Sequence, residues 1–359
     1  MSPSLAQLFQ AHAYPAMSHP SADPATAFHL ATAAGLPAPD PSTARILELG
    51  CATGHHLLSL ASRWPRASLT GLDLSGKSIT RARSLAHRAS LSNAHFIESS
   101  LIDYQPDHPF DYIIAHGLFS WIPDPQKIHL FDFIGKNLTP HGLAIVSFNV
   151  AAGWKKRIPL ITKTRALLTA GATDEISALH LLTTISSPEE KPIIADMLAK
   201  GPAILAFDDF APIMDPWSLG AFSKLATHSS LQLIPPLGSD ADDEATSKTF
   251  RTELLCRAAI SLTPTPIPPE KTPPLHPIPA FPKLNPWRMT CVLEGLPVVD
   301  SSLIPCTFSI PQLLIMAAMD GTNSHFHLAQ HAQKISPDLH FIPFLQHLAS
   351  RGFFADSQS

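Results

Sequence analysis

Arg45-Ile46-Leu47-Glu48-Leu49-Gly50-Cys51-Ala52-Thr53-Gly54 is the stretch that decides the fold. A β-rich run, 44–50, empties into small residues at 50, 52 and 54, and an amphipathic helix-length segment, 56–64, follows at once. Small residues there let the backbone approach a ligand closely, at the place where α/β sheets bind nucleotides. The spacing is not the GxGxxG of dinucleotide enzymes: the third small residue comes one position early, and an acid, Glu48, precedes the turn. That combination suits a cofactor with an amino acid and a nucleoside but no pyrophosphate. The next β-rich run closes on Asp73, where a carboxylate can accept both hydroxyl protons of a ribose.

Outward from this unit the pattern repeats. Strands are predicted over 44–50, 68–74, 95–99, 110–116 and 143–149, with helices over 56–64, 77–89 and 127–138 between them. Alternation of this kind predicts an α/β, doubly wound, Rossmann-like parallel sheet. An N-terminal helical segment, 1–43, precedes this core of 44–154. A helical insertion is expected over 155–216, followed by a last helix and closing antiparallel hairpin over 217–262. Ten prolines between Pro264 and Pro286 predict a semi-rigid linker over 263–286. The tail, 287–359, reads as two or three short helices in a module small enough to need docking on the main domain.

Composition sets the outer bounds. Of 359 residues 15% are charged, against about 25% in an average protein, and 45% are hydrophobic, so the chain can bury a sizeable core. The net charge of -4 offers no basic field to hold a phosphate backbone, which argues against nucleic acid as a partner. Cys51, Cys256, Cys291 and Cys306 show no CxxC spacing and are too sparse for a disulfide scaffold. With no signal-peptide pattern and no apolar run of about 18–20 residues, the expectation is a cytoplasmic protein without a membrane span. His325, His327 and His331 lack the neighbouring ligands a metal needs, so no metal is expected; Asp240, Asp242, Asp243 and Glu244 read as a solvated loop.

The turn, Asp73 and the β/α order together resemble the class I S-adenosylmethionine-dependent methyltransferases. Phe110-Asp111-Tyr112-Ile113-Ile114-Ala115-His116-Gly117-Leu118-Phe119-Ser120-Trp121-Ile122-Pro123, Ser147-Phe148-Asn149 and Gly153-Trp154 narrow the resemblance. They are similar to the bacterial methyltransferases that carry a methyltransferase regulatory domain, members of which methylate lysines of rickettsial outer-membrane proteins. Tyr14-Pro15, Ser18-His19-Pro20, the run Phe250 to Arg257, and Asp320-Gly321-Thr322 also fit; the last resembles that family's C-terminal winged-helix-like module.

The resemblance implies that S-adenosyl-L-methionine is held by Glu48, Gly50, Cys51, Ala52 and Gly54, with Asp73 on the ribose and Leu74, Ser100 and Leu101 around the adenine. His116 and Gly117 end the fourth strand, where the methyl group should face the acceptor. Tyr14, His116 and Asn149 are candidates for assisting an amine acceptor, and Trp121 stands on the same rim. Each has a plainer reading as a packed strand-end histidine, an aromatic staple or a core aromatic. Besides Ala52, which stands for a Gly, one position and one run depart from the family. Ser100 stands where an Asp usually takes the adenine amino group, and Phe207 to Pro216 keeps only the acids and the proline of a His-acid-aromatic run. The leading expectation is therefore methyl transfer to a protein lysine amine, the protein being an outer-membrane or surface protein. A small-molecule methyltransferase and a non-catalytic protein that kept the fold stay open, as does a homo-oligomer.

Overall fold

Alternate residues of the central strands face two different cores, and that period of two sets the architecture. The computed structural model describes residues 14–235, 248–263, 283–296, 308–350 and 353–354. Helix α1 (Pro24–Ala33) leads to strand β1 (Arg45–Leu49), then α2 (His55–Arg63), β2 (Ser68–Asp73), α3 (Gly76–Arg88), β3 (Ala94–Glu98), β4 (Phe110–Ala115), α4 (Asp124–Asn137) and β5 (Leu138–Asn149). Ile46, Tyr112, Ile114, Leu143 and Ile145 pack on one face of the sheet with Leu57, Leu58, Ile79 and Leu85. Leu47, Leu49, Ile113, Ala115, Ala144 and Val146 pack on the other, with Phe131, Ile134 and Phe222.

Helix starts follow from local chemistry. Asp23 accepts from Ala25 N at 2.8 Å to cap α1, whose first residue is Pro24, and Arg63 at the end of α2 returns to the same carboxylate at 2.7 Å. Ser75 caps α3 by accepting from Ser78 N at 3.2 Å. Gly54 precedes α2 with φ +74°, and a Cβ there would stand 2.6 Å from the Phe96 ring. Gly54→Ala should therefore cost about 2 kcal/mol of unfolding free energy, combining overpacking with a left-handed backbone. Urea denaturation checks this, and a loss of only about 1 kcal/mol would mean that the Phe96 ring turns aside and the backbone cost alone remains.

The sheet order is β3-β2-β1-β4-β5-β7-β6, with β6 (Leu231–Leu233) and β7 (Phe250–Arg257) added after the insertion. β1 to β5 are parallel; β7 runs antiparallel to β5, and β6 antiparallel to β7, so the expected closing hairpin is present. The chain progresses outward from β1 to β3 on one side and from β4 to β5 on the other. The crevice at the carboxyl ends of β1 and β4 is thus the topological switch point, where open α/β sheets bind ligands.

Between β5 and β6 lie α5 (Ala151–Trp154), α6 (Arg157–Thr169), α7 (Glu175–Ile185), α8 (Lys191–Ala199), α9 (Gly201–Asp208) and α10 (Leu219–His228). Leu160, Ile161, Leu179, Leu182, Ile194, Met197 and Leu205 give this insertion a core of its own. Its exit is tied to the sheet through Asp215, which accepts from the buried Lys127 ammonium and, at 2.7 Å, from Trp217 Nε1.

The tail contributes α11 (Pro286–Leu293), α12 (Ile310–Ala317), α13 (His325–Ile335) and α14 (Phe341–Ser350). It docks as expected: the Trp287 ring meets His55 of α2 at 5.0 Å, and Arg81 and Arg88 of α3 both pair with Glu294. Four described helices replace the two or three expected, with isolated bridges Lys283–Asp320 and Leu284–Phe354. The expected linker ends sooner than Pro286, because Asn285 caps α11 and Pro286 is its first residue. Residues 264–282, with most of the proline run, and the acidic loop 240–244 lie outside the described residues. Among the described residues no helix is long and apolar enough to cross a membrane.

Candidate active site at the switch-point crevice

Three left-handed residues shape the turn after β1: Gly50 (φ +74°), Ala52 (φ +46°) and Gly54. Such a backbone turns its amides inward. Gly50 N and Cys51 N both donate to Leu72 O, at 2.8 and 3.0 Å, and Ala52 N donates to Asp73 Oδ2 at 2.8 Å. The other Asp73 oxygen accepts from Ser75 N at 2.8 Å, so the carboxylate is pinned on both sides while its remaining lone pairs stay free for a ligand. Glu48 lies beneath this turn, 5% exposed, with Oε2 lacking a partner. Burial, reinforced by the charge of Asp73, pushes its pKa up to about 8.

A cavity of about 790 Å³ opens over the turn, within the usual range for small-molecule sites. One end is walled by Leu74, Ser100, Leu101 and Ile102, the middle by Glu48, Gly50, Cys51, Ala52, Asp73, His116 and Gly117. Gly117 has φ +65° and nothing within 4 Å of where a Cβ would stand, which leaves the floor open beyond β4. Its N–H donates to Ser147 Oγ at 2.8 Å. The far end is built by Tyr14, Trp121, Asn149, Trp154 and Phe207, with Arg157, Asp196, Lys200 and Asp208 from the insertion, and Phe250 lies against the His116 ring.

Contacts fix that far wall. Trp121 Nε1 donates to Phe207 O at 2.8 Å, and the Tyr14 and Phe207 rings meet edge to face at 5.3 Å. The Tyr14 phenol is held well above its ordinary pKa by burial and by Asp208, so it stays a neutral hydroxyl. Asp208 itself is raised by burial, with Lys200 opposing at 3.3 Å. Burial likewise raises the Cys51 thiol and depresses the His116 imidazole, both of which are uncharged at neutral pH. Neither is set up as a charged nucleophile or acid.

Two relatives and a solved structure are similar to parts of this chain. Residues 46–142 match the model of a family described as methyltransferase domain. An uncharacterized protein of Rickettsia prowazekii is 37% identical over 131 residues, 35% of this chain and 24% of the relative. Trans-aconitate 2-methyltransferase of Escherichia coli is 36% identical over 101 residues, 28% of this chain and 37% of that enzyme. The matched stretches thus span between a quarter and a half of the curated relatives' lengths. The structure of PKMT2 from Rickettsia typhi in complex with AdoHcy superposes over 93% of this chain and 74% of that one, with a TM-score of 0.62 at 20% identity. That likeness concerns the fold, and it extends beyond the matched residues 46–142 into the insertion and tail.

Of the residues singled out from sequence, Glu48, Gly50, Cys51, Ala52, Asp73, Leu74, Ser100, Leu101, His116 and Gly117 share the cavity wall with Tyr14, Trp121 and Asn149. Gly54 does not reach it; the Phe96 ring and Ala82 occupy the place of its missing Cβ, so the turn needs this glycine for packing. Ser100 is engaged in its own turn, donating to Asp103 Oδ2 and accepting from Asp103 N at 3.1 Å. Sequence reasoning assigned no role to His19, His56, Arg157, Lys200 or Phe250, all on the wall. Two of these, His19 and Phe250, lie in motifs whose pattern was visible; Arg157 and Lys200 carry no local signal.

The buried ionisable groups predict a pH optimum of stability. His19 and His56 titrate near 6.5 when unfolded and, through burial, near about 4 and about 3 when folded; their contribution is complete above pH 6.5 and is lost as pH falls. Glu48 works in the opposite direction: raised from 4.5 to about 8, its contribution is complete below pH 4.5 and is lost as pH rises through 8. Unfolding free energy should peak near pH 6.5 and decline toward pH 8 by up to about 1.4 kcal/mol per unit. Urea denaturation at pH 5, 6.5 and 8 measures this. A decline above pH 6.5 that survives Glu48→Gln would assign it to another group.

Proposed function

We propose that the chain is an S-adenosylmethionine-dependent methyltransferase whose acceptor is an amine, the side chain of a protein lysine. The observation that carries this reading is Asp73, fixed at the end of β2 by Ala52 N and Ser75 N beside the left-handed turn. Two acceptor oxygens there suit the paired hydroxyls of a ribose, and the acid Glu48, left with an unpartnered oxygen, suits the amino group of an amino acid. Leu74, Ser100, Leu101 and Ile102 provide a partly apolar slot for a base. The matched domain and the AdoHcy of PKMT2 support the same cofactor.

When bound, the cofactor supplies a methyl group on a sulfonium. The protein's share is then to align and to exclude water, since an in-line displacement gains chiefly from proximity. Tyr14, Trp121, Trp154 and Phe207 narrow the acceptor end, and their faces suit the aliphatic stem and amine of a lysine. Asp208 adds a carboxylate. Tyr14, His116 and Asn149 are polar groups able to orient an amine that has lost its proton. Radiolabelled methyl transfer from S-adenosylmethionine to a bacterial extract tests the proposal. Label recovered as methyl-lysine from the protein fraction is expected. Label confined to small molecules would replace the acceptor, and absence of cofactor binding at millimolar concentration would remove the enzyme reading.

A further inference from the structure

His19 comes from outside the matched domain, on the N-terminal segment that contributes Tyr14 to Met17 to the cavity wall. Its imidazole lies over that of His116, with ring centroids 4.0 Å apart and planes inclined by 34°. Its backbone N–H donates to His56 Nδ1 at 3.2 Å, and the His56 ring stands edge-on at 5.5 Å. Phe250 meets the His116 ring at 5.4 Å. The segment is thereby latched to α2 and to the end of β4 at the middle of the cavity.

We infer that His19, stacked on His116, is a positioning residue that gives the cavity an uncharged aromatic face for the sulfonium of the cofactor. This rests on the cofactor assigned above. With the ribose at Asp73 and the amino acid at Glu48, the sulfonium joining them would lie in the cavity whose wall His19, His116 and Gly117 share with both carboxyl groups. Burial keeps His19, His56 and His116 neutral, so the histidine face itself carries no positive charge to repel a cation. An aromatic face attracts a cation through its quadrupole, and does so most strongly where water is excluded. A thioether lacks the charge and gains little from the same face.

The consequence is selectivity between the charged cofactor and its uncharged product, and this is the quantity to measure. Calorimetric affinities of S-adenosylmethionine, its ammonium analogue sinefungin, and S-adenosylhomocysteine would be compared for wild type, His19→Leu and His19→Phe. His19→Leu is expected to weaken both cations about tenfold while changing the thioether less than about threefold. His19→Phe, which keeps an aromatic face, should restore the cation affinities to within about threefold of wild type. Equal loss for all three ligands in His19→Leu would reduce His19 to a structural latch and overturn the inference, as would no loss or a failure of His19→Phe to restore. If wild type binds none of the three, the cofactor assignment itself fails, a distinguishable result.

Discussion

Asp209→Ala should lower the unfolding free energy by about 3–5 kcal/mol, the cost of stripping one partner from a buried ion pair. Asp209 is fully buried and accepts from Arg157 Nε and, at 2.9 Å, from Lys200 Nζ. Arg157 is itself 5% exposed. Without Asp209 the guanidinium keeps only Asp196, whose side chain is largely exposed, and Lys200 keeps only Asp208. Neither replacement neutralises the interior. Asp209→Asn, which retains an acceptor oxygen, should lose less, and Asp209→Ala combined with Arg157→Met should lose less than the separate effects added together. The lost contacts lie within the insertion, whose core is separate from those of the sheet, and reach the cavity only at Arg157 and Lys200. S-adenosylhomocysteine binding, placed on residues 46–142, should therefore survive below the melting temperature. Urea denaturation of these variants decides the matter; a loss under about 1 kcal/mol would mean that the pair behaves as a solvated one.

The same pair shows what sequence could and could not disclose. Strands ending in a small residue or an acid, as at Leu49-Gly50 and Asp73, were legible because burial on both faces demands apolar runs and the turn demands glycine. β5 begins five residues earlier than its apolar run: Pro140, His141 and Gly142 look like a turn, yet the strand passes through them with a register shift opposite Phe110 and Tyr112. Helix α9 was hidden by Gly201-Pro202, which reads as a break but here supplies a left-handed residue and a proline at the first turn. The linear motif led to the turn end of the cavity because its residues are consecutive or one strand apart. The proposed acceptor end is assembled by Tyr14, Trp121, Asn149, Arg157 and Phe207, which no period or spacing connects. Asp208 and Asp209 stood adjacent in a run read for its departures, and only tertiary structure separates them into a cavity residue and a buried ion-pair partner.

Asp73→Ala should weaken S-adenosylhomocysteine binding by about 1.5–3 kcal/mol, roughly 10- to 150-fold, the usual worth of hydrogen bonds to a charged group. The substitution removes more than a ligand contact. Ala52 N and Ser75 N lose their acceptors, so the turn after β1 and the start of α3 are loosened together. A fall in affinity alone would not separate the two effects. A cycle pairing wild type and Asp73→Ala with the ligand and its 2′,3′-dideoxy analogue does. If the carboxylate holds the ribose hydroxyls, removing the hydroxyls and removing the carboxylate should cost nearly the same, and the double change little more than either. Strict additivity would leave Asp73 as a brace for the turn, because the hydroxyls would then be lost from some other partner. Asp73→Asn sharpens the distinction: the neutral amide can still accept one backbone N–H, but it lacks the charge that makes both hydroxyl bonds strong. Its affinity should lie nearer that of Asp73→Ala while its stability lies nearer that of wild type.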